Sequence, residues 1–209
     1  MFISFEGLDG SGKSTQLGLL RDALAAAGRE VVATREPGGT ELGELVRSLV
    51  LDGPDMTSWP EALLYAAARA QLVAEVVRPA LERGAVVISD RYVDSSLAYQ
   101  GFARGLGVEE VLALNLRVVG GLLPDRTFWL HLTPEAAGAR QGPQRDRIER
   151  ERLDFHRMVD SGFAAVAALF PERIVRLDGS RPAAELAAEI LAEVQRAEQG
   201  LGPAGAGVR

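Results

Sequence analysis

The chain has 209 residues, 47% of them hydrophobic and 25% charged, with a net charge of −6, which fits an ordinary globular domain and argues against a general binder of nucleic acid. It holds no cysteine, which excludes disulfides and thiolate chemistry, and its two histidines, His131 and His156, are too few and too isolated for a zinc site. No apolar run approaches the ~18 residues of a membrane span, and no basic segment precedes the first strand, so neither an anchor nor a signal peptide is expected and the location is cytoplasmic by default.

Met1 to Phe5 reads as a short buried strand, and Leu17, Leu20 and Leu24 recur at helical spacing after it. Between them lies Gly7-Leu8-Asp9-Gly10-Ser11-Gly12-Lys13-Ser14-Thr15, which fits the phosphate-loop pattern in its required setting of strand, loop and helix. Gly7, Gly10 and Gly12 let successive backbone N–H groups turn inward as an anion cradle at a helix N-terminus. Lys13 reaches the terminal phosphates in such loops, and the Ser14 hydroxyl ligates Mg²⁺. Lys13 is also the only lysine; the other 22 of the 23 basic residues are arginines. A compact ammonium on a flexible stem enters a narrow loop where a planar guanidinium would not.

Glu30 to Thr34 is the second predicted strand, breaking at Arg35-Glu36-Pro37-Gly38-Gly39. A helix begins at Thr40 with Leu42, Leu45, Val46 and Leu49 as its expected apolar face. After a loop from Asp52, a long helix runs from about Pro60 to Glu82, with Pro79 bending it or ending it early. Ala85 to Ser89 is a continuous apolar strand of the buried parallel type, ending at Asp90. Arg91 to Gly107 reads as a polar segment, Val108 to Val119 as a helix, and Thr127 to Leu132 as the fourth strand. An arginine-rich stretch and a helix through Ala168 lead to the fifth strand, Arg173 to Leu177, and Arg181 to Gln199 is a closing helix. Strands alternating with helices give one α/β domain over residues 1–199: a five-stranded parallel sheet covered by helices on both faces, with 200–209 as a frayed tail.

Ligands of such sheets sit at the C-terminal strand ends, where Asp9, Arg35, Asp90 and Arg91 fall. Asp90 can hold Mg²⁺ through water beside Ser14, and Arg91 can grip a phosphate; alone, the pair would equally suit a structural ion pair. Tyr65 and Arg69, four apart, share one helix face and could stack on and bond a base, or be core and rim. From Arg140 to Arg157 there are six arginines in eighteen residues near Gly138, Gly142 and Pro143. Acidic neighbours balance most of them on a solvated helix, but a glycine-flanked basic loop is also what a lid over a transferring phosphate needs.

With these residues in place, the chain resembles bacterial thymidylate kinases from Phe2 to about Ile190. The resemblance rests on Phe5 to Gln16, Thr34 to Thr40, Leu64 to Arg69, Asp90 to Gly101 and Asp146-Arg147-Ile148-Glu149. It implies a nucleoside-monophosphate-kinase fold and phosphorylation of dTMP by ATP with Mg²⁺, by direct in-line transfer. In this reading ATP lies on Gly7, Leu8, Asp9, Gly10, Ser11, Gly12, Lys13, Ser14 and Thr15, and Ser14, Asp9 and Asp90 serve the metal. Lys13, Asp9, Arg91 and an arginine of a lid at about 138–150, Arg140 or Arg145, are the catalytic set. Arg35 and Arg91 hold the acceptor phosphate, and Tyr65 stacks on thymine. Arg69 and Ser96 bond the base edge, Ser95 and Gln100 complete the acceptor site, and Tyr99 crowds the place of a ribose 2′-hydroxyl. Relatives with an arginine in the loop carry it at the position of Gly10, so here the lid must supply it. Tyr65 stands where the family usually has Phe. A homodimer is implied; nucleic-acid or membrane partners are not. The alternatives are a kinase for another nucleotide and a nucleotide-driven switch. A GTPase is excluded, since Asn-Lys-x-Asp cannot occur when Lys13 is the only lysine.

Overall fold

The computed structural model describes residues 1–142 and 146–203. Five strands form one parallel sheet in the order β2-β3-β1-β4-β5: β1 (Phe2–Glu6), β2 (Val31–Arg35), β3 (Val86–Asp90), β4 (Arg126–His131) and β5 (Ile174–Asp178). Four of the five run one residue further toward their C-terminal ends than the apolar pattern predicts. Glu6, Arg35, Asp90 and Asp178 are thereby drawn into the edge, where charge is wanted. Phe5 pairs with Asp90, and Asp90 in turn with Arg35.

Alternation along the strands splits the core between two faces. Ile3, Phe5, Ile88, Phe128 and Leu130 meet Leu20 and Leu24 of α1 (Lys13–Ala26) and Leu186, Ile190 and Val194 of α9 (Ala183–Glu198). Phe2, Val87 and Trp129 face the other way, against α6 (Val108–Val119) and α8 (Leu153–Leu169). That second face also holds the helix after β3. Among the described residues no helix is long and apolar enough to cross a membrane.

Three local expectations change. The segment after Arg91 is a buried helix: α5 (Val93–Ser96) runs directly into a π-helical stretch, Leu97–Ala103. Its composition resembles a loop because Asp94, Ser95, Ser96 and Gln100 are polar, but each is paired with a distant residue. Asp94 takes a bidentate grip from Arg173 at 2.7 Å and a bond from Thr127 at 3.0 Å, which pins the helix to the sheet. Gly162 of α8 passes so close that a Cβ there would lie 2.9 Å from the Ala98 carbonyl.

In α2 (Glu41–Asp52) three of the four residues of the predicted apolar face turn outward, and only Val46 of that set is buried. Leu42, Leu45 and Leu49 are exposed, while Gly43, Val46 and Val50 are buried. Gly43 sets this rotation, since a Cβ on it would lie 2.6 Å from the Gly38 carbonyl and only glycine fits against that turn. The long helix forms as α3 (Ser58–Leu72), a π-helical stretch (Val73–Val77) and α4 (Arg78–Glu82). Pro79 does not end it; the widened turn just upstream accommodates a ring that has no N–H to donate. At the other end of the chain, within the expected tail, Leu201 donates to the Arg196 carbonyl at 3.0 Å and accepts from the Arg126 guanidinium. Residues 204–209 of the expected tail lie outside the described residues.

Candidate active site

The phosphate loop bridges β1 and α1. Gly7, Gly10 and Gly12 all have positive φ, at 134°, 87° and 99°. Gly7 also has no room for a side chain, as its Cβ would lie 2.5 Å from the Leu130 carbonyl. The N-terminus of α1 has neither a side-chain cap nor an acidic residue in its first turn, so its free N–H groups and positive dipole end face the loop. The Ser11 hydroxyl is buried with no partner among the described residues. Lys13 Nζ lies 3.1 Å and 3.0 Å from the Gly7 and Leu8 carbonyls. Burial and the nearby Arg91 lower its pKa, so the ammonium is primed to gain from an anion. An orphaned hydroxyl, an uncapped helix and a buried ammonium fit a polyphosphate.

Beside the loop, Ser14 Oγ donates to Asp90 Oδ2 at 2.9 Å. A hydroxyl and a carboxylate oxygen are the hard donors that Mg²⁺ takes when phosphates and water complete its shell. Asp9, the third expected metal residue, is engaged differently. Its Oδ1 accepts from Arg91 Nη2 at 2.7 Å and lies 3.4 Å from Lys13 Nζ. Burial would raise its pKa, but Arg91 and Lys13 outweigh that and hold the carboxyl well below the usual range.

Arg91 follows β3 in the left-handed region at φ 70°, a conformation of some cost for a residue with a side chain. Three contacts impose it. Its N–H donates to the Phe5 carbonyl at 2.9 Å, its carbonyl accepts from Ser89 Oγ at 2.7 Å, and its guanidinium donates to Ser95 Oγ at 3.0 Å besides Asp9. Behind Ser95 stands Glu6, buried at the end of β1, which accepts from Ser95 Oγ at 2.5 Å and from the Tyr92 N–H at 2.8 Å. Burial and then Asp94 push the Glu6 carboxyl up to about 8, against the opposing pull of Ser95, Arg91 and the Tyr92 N–H.

Arg91 also forms one wall of a cavity of about 560 Å³, counting space open to solvent, within the range of small-molecule sites. Of the eight residues predicted for the acceptor, seven line it: Tyr65, Arg69, Arg91, Ser95, Ser96, Tyr99 and Gln100. The Arg91 guanidinium lies 5.3 Å from the Tyr99 ring centroid, and that ring is braced edge-on by Phe155 and Phe163. The Tyr65 hydroxyl has no hydrogen-bond partner among the described residues.

Two arginines exchange places relative to the expectation. Arg35 does not line the cavity; it lies on the neighbouring surface, where Glu44 takes its Nη2 with both oxygens at 3.0 Å. Arg47 of α2 lines the cavity instead, with Nη1 bonded at 3.0 Å to the Pro37 carbonyl. The only sequence signal for Arg47 is its place on α2, which folds back over the Pro37 turn. Arg69 differs in another way. It is 1% exposed, and its donors are already committed to Glu36 Oε2 (2.7 Å), Ser96 Oγ (3.0 Å), Asn115 Oδ1 and the Tyr92 carbonyl (3.1 Å). It is neither a free base-reader nor a solvated rim residue but the hub of a buried network. Burial raises the pKa of its partner Glu36, with Arg69 opposing, and Glu36 Oε1, beside the cavity, has no partner among the described residues.

The loop and the base of the expected lid are in contact. In α7 (Pro134–Arg140), Arg140 donates to the Gly179 carbonyl at 3.2 Å, and the next residue, Gln141, donates to the Asp9 carbonyl at 3.2 Å. A Cβ on Gly10 would lie 2.6 Å from the Ala137 carbonyl and 3.3 Å from Arg140 Cβ. Arg145 lies outside the described residues. Downstream, Asp146 and Ile148 complete the cavity wall, a contribution that the lid assignment did not anticipate.

The family model for thymidylate kinase matches residues 5–190. The chain is 54% identical over 194 residues to the thymidylate kinase of Leifsonia xyli subsp. xyli (strain CTCB07), covering 91% of this chain and 92% of that one. It is 50% identical over 195 residues to that of Synechococcus sp. (strain JA-3-3Ab), covering 93% and 95%. Among solved structures, thymidylate kinase from Ehrlichia chaffeensis superposes with a TM-score of 0.73 at 35% identity, covering 85% of this chain and 91% of that one. The chain belongs to the thymidylate kinase family.

Proposed function

We propose that the two halves of this site divide the family's reaction between them, the loop holding ATP and the cavity holding dTMP. The enzyme is a nucleoside monophosphate kinase that converts dTMP to dTDP with ATP as donor. The observation that carries the division is Asp9, whose one carboxylate oxygen touches both Lys13 of the loop and Arg91 of the cavity. The cations for the two phosphates are thus held in register. No side chain need form a covalent intermediate, because phosphoryl transfer is catalysed by positioning and charge.

Loop N–H groups and Ser11 hold the donor phosphates, and Lys13 exchanges its two carbonyl partners for phosphate oxygens. Arg91 and Arg47 hold the acceptor phosphate, with Asp9 orienting Arg91. Arg35 acts in this scheme only by bracing Glu44. Arg140 or Arg145 supplies charge from the lid side, the role that Gly10 leaves open. Ser14 and Asp90 would hold Mg²⁺, which would supply positive charge beside the donor phosphates. Tyr65 offers its ring to thymine, while Ser96 and Gln100 face its edge. Tyr99, held between Arg91 and two phenylalanines, excludes a 2′-hydroxyl.

We assign a homodimer formed through the outward face of α2 and α3, where Leu42, Leu45, Leu49, Trp59 and Leu63 are exposed, and a cytoplasmic location beside the nucleotide pool. Light scattering of Leu45→Glu tests the assembly; a variant that keeps the wild-type mass overturns that face. A coupled ADP-release assay across dTMP, dUMP, UMP, CMP and AMP tests the reaction. The expected result is kcat/KM for dTMP at least about a hundredfold above UMP, as a site with no room for a hydroxyl requires. Equal use of dTMP and UMP would remove the acceptor assignment.

A further inference from the structure

Beneath the cavity lies a carboxylate with no direct part in the chemistry above. Glu61 is on the same face of α3 as Tyr65 and Arg69, one and two turns earlier, and is 1% exposed. Its Oε2 accepts from Arg147 Nη2 at 2.7 Å and Arg104 Nη2 at 3.3 Å. Its Oε1 accepts from Gln100 Nε2 at 3.0 Å and Arg104 Nε at 3.3 Å. Arg104 is held in turn by Glu151 at 2.7 Å, and Arg147 by the Val50 and Leu51 carbonyls, each at 2.9 Å.

We propose that Glu61 is a positioning residue that fixes which way the Gln100 amide faces, and so sets the hydrogen-bond polarity of the base subsite. The inference rests on the assignment of this cavity to dTMP. An ionised carboxylate is acceptor-only, so the amide must turn its NH₂ toward Glu61. The amide oxygen is then the group left for the cavity that Gln100 lines. That oxygen can accept from a ring N–H, which thymine carries at N3. Cytosine presents a bare nitrogen acceptor there and meets oxygen against lone pair. Two arginines on one carboxylate secure the charge on which the orientation depends. Burial works against it, but the bonds from Gln100, Arg147 and Arg104 prevail and hold Glu61 below the usual carboxylate range. The same carboxylate seats Arg147, whose neighbours Asp146 and Ile148 form part of the cavity wall.

The test compares dTMP with dCMP at saturating ATP for the wild type, Glu61→Gln, Gln100→Leu and the double variant. A neutral amide at position 61 can donate as well as accept, so Gln100 is free to turn. Glu61→Gln is expected to lower the dTMP:dCMP ratio of kcat/KM at least about tenfold, through KM for dTMP, with kcat within about threefold. On the Gln100→Leu background the same change should leave the ratio unmoved, since the group it orients is gone. Equal losses on both nucleotides from Glu61→Gln, or an undiminished effect in the double variant, would show a merely structural role and overturn the proposal. If Glu61→Gln does not fold, Gln100→Leu decides: the ratio must collapse, and a preserved ratio overturns the proposal. A wild type inactive on dTMP would instead refute the acceptor assignment itself, and this inference with it.

Discussion

The loop assigned to the donor and the cavity assigned to the acceptor are built from different materials. The loop is nine consecutive residues, and its working groups are backbone N–H groups, three glycines and one ammonium. The cavity draws on α2, α3, the end of β3, the helix from Val93 to Ala103 and the segment at 146–148, and its working groups are side chains held by other side chains. A polyphosphate is the same in every nucleotide, so a local, sequence-generic cradle serves it. A base and a deoxyribose must be told apart from close relatives. That takes polar groups whose directions are fixed, and in this protein the fixing is done by buried ion pairs such as Arg69–Glu36 and Arg147–Glu61.

This contrast can be broken by mutation. The largest effect is expected from Lys13→Ala: kcat should fall by about a thousandfold or more while the thermal melt stays near wild type. Turnover near wild type would mean that the loop is not the donor site. Arg69→Ala should do the opposite and damage the fold before the chemistry. Removing one partner of a buried pair costs about 3–5 kcal/mol, so urea unfolding should register the loss directly. An unchanged unfolding midpoint would mean that the cavity does not depend on its buried network.

Glu6 stands where the two regions meet, one residue before Gly7 and bonded to Tyr92 and Ser95. Its carboxyl goes from an ordinary 4.5 in the unfolded chain to about 8 in the fold, so the folded state keeps a proton that the unfolded state releases. The stability this provides is complete below pH 4.5 and is lost as pH rises toward 8. Denaturant titrations should show a decline on the order of a few kcal/mol across that window, flattened in Glu6→Gln. A wild-type curve that rises through it would contradict the burial argument. The smallest effect separates two arginines. Arg47→Ala should raise KM for dTMP about tenfold, whereas Arg35→Ala, an exposed partner of Glu44, should change KM less than about twofold and stability by under about 1 kcal/mol. Reversed magnitudes would restore Arg35 to the acceptor site.

Legibility in the sequence followed the same division. The loop could be read whole, because its function depends on contiguous residues, and the five strands because buried parallel strands are unbroken apolar runs. The segment after Arg91 could not be read from its composition. Asp94, Ser95, Ser96 and Gln100 are satisfied by Arg173, Glu6, Arg69 and Glu61, up to 89 residues away. The outward turn of α2 escaped periodicity because one close contact at Gly43 decides which stripe faces in. Arg47 was missed for a related reason: its role comes from where α2 is placed, not from any local pattern. Tyr65, Ser96 and Tyr99, which the family resemblance named together, line one cavity, but that resemblance could not say that Arg69 would be spoken for by its neighbours.

Gly10 has a consequence for how such a site can change over time. A side chain there runs into the Ala137 carbonyl and the stem of Arg140. A loop arginine at position 10 and the present seating of α7 therefore exclude one another in space. A lineage with this arrangement cannot relocate a catalytic arginine into the loop by one substitution, because the intermediate would clash before it could help. The helix must first withdraw, giving up its contacts before any replacement exists. Position 10 and the seating of α7 are thus tied into a fixed order of events.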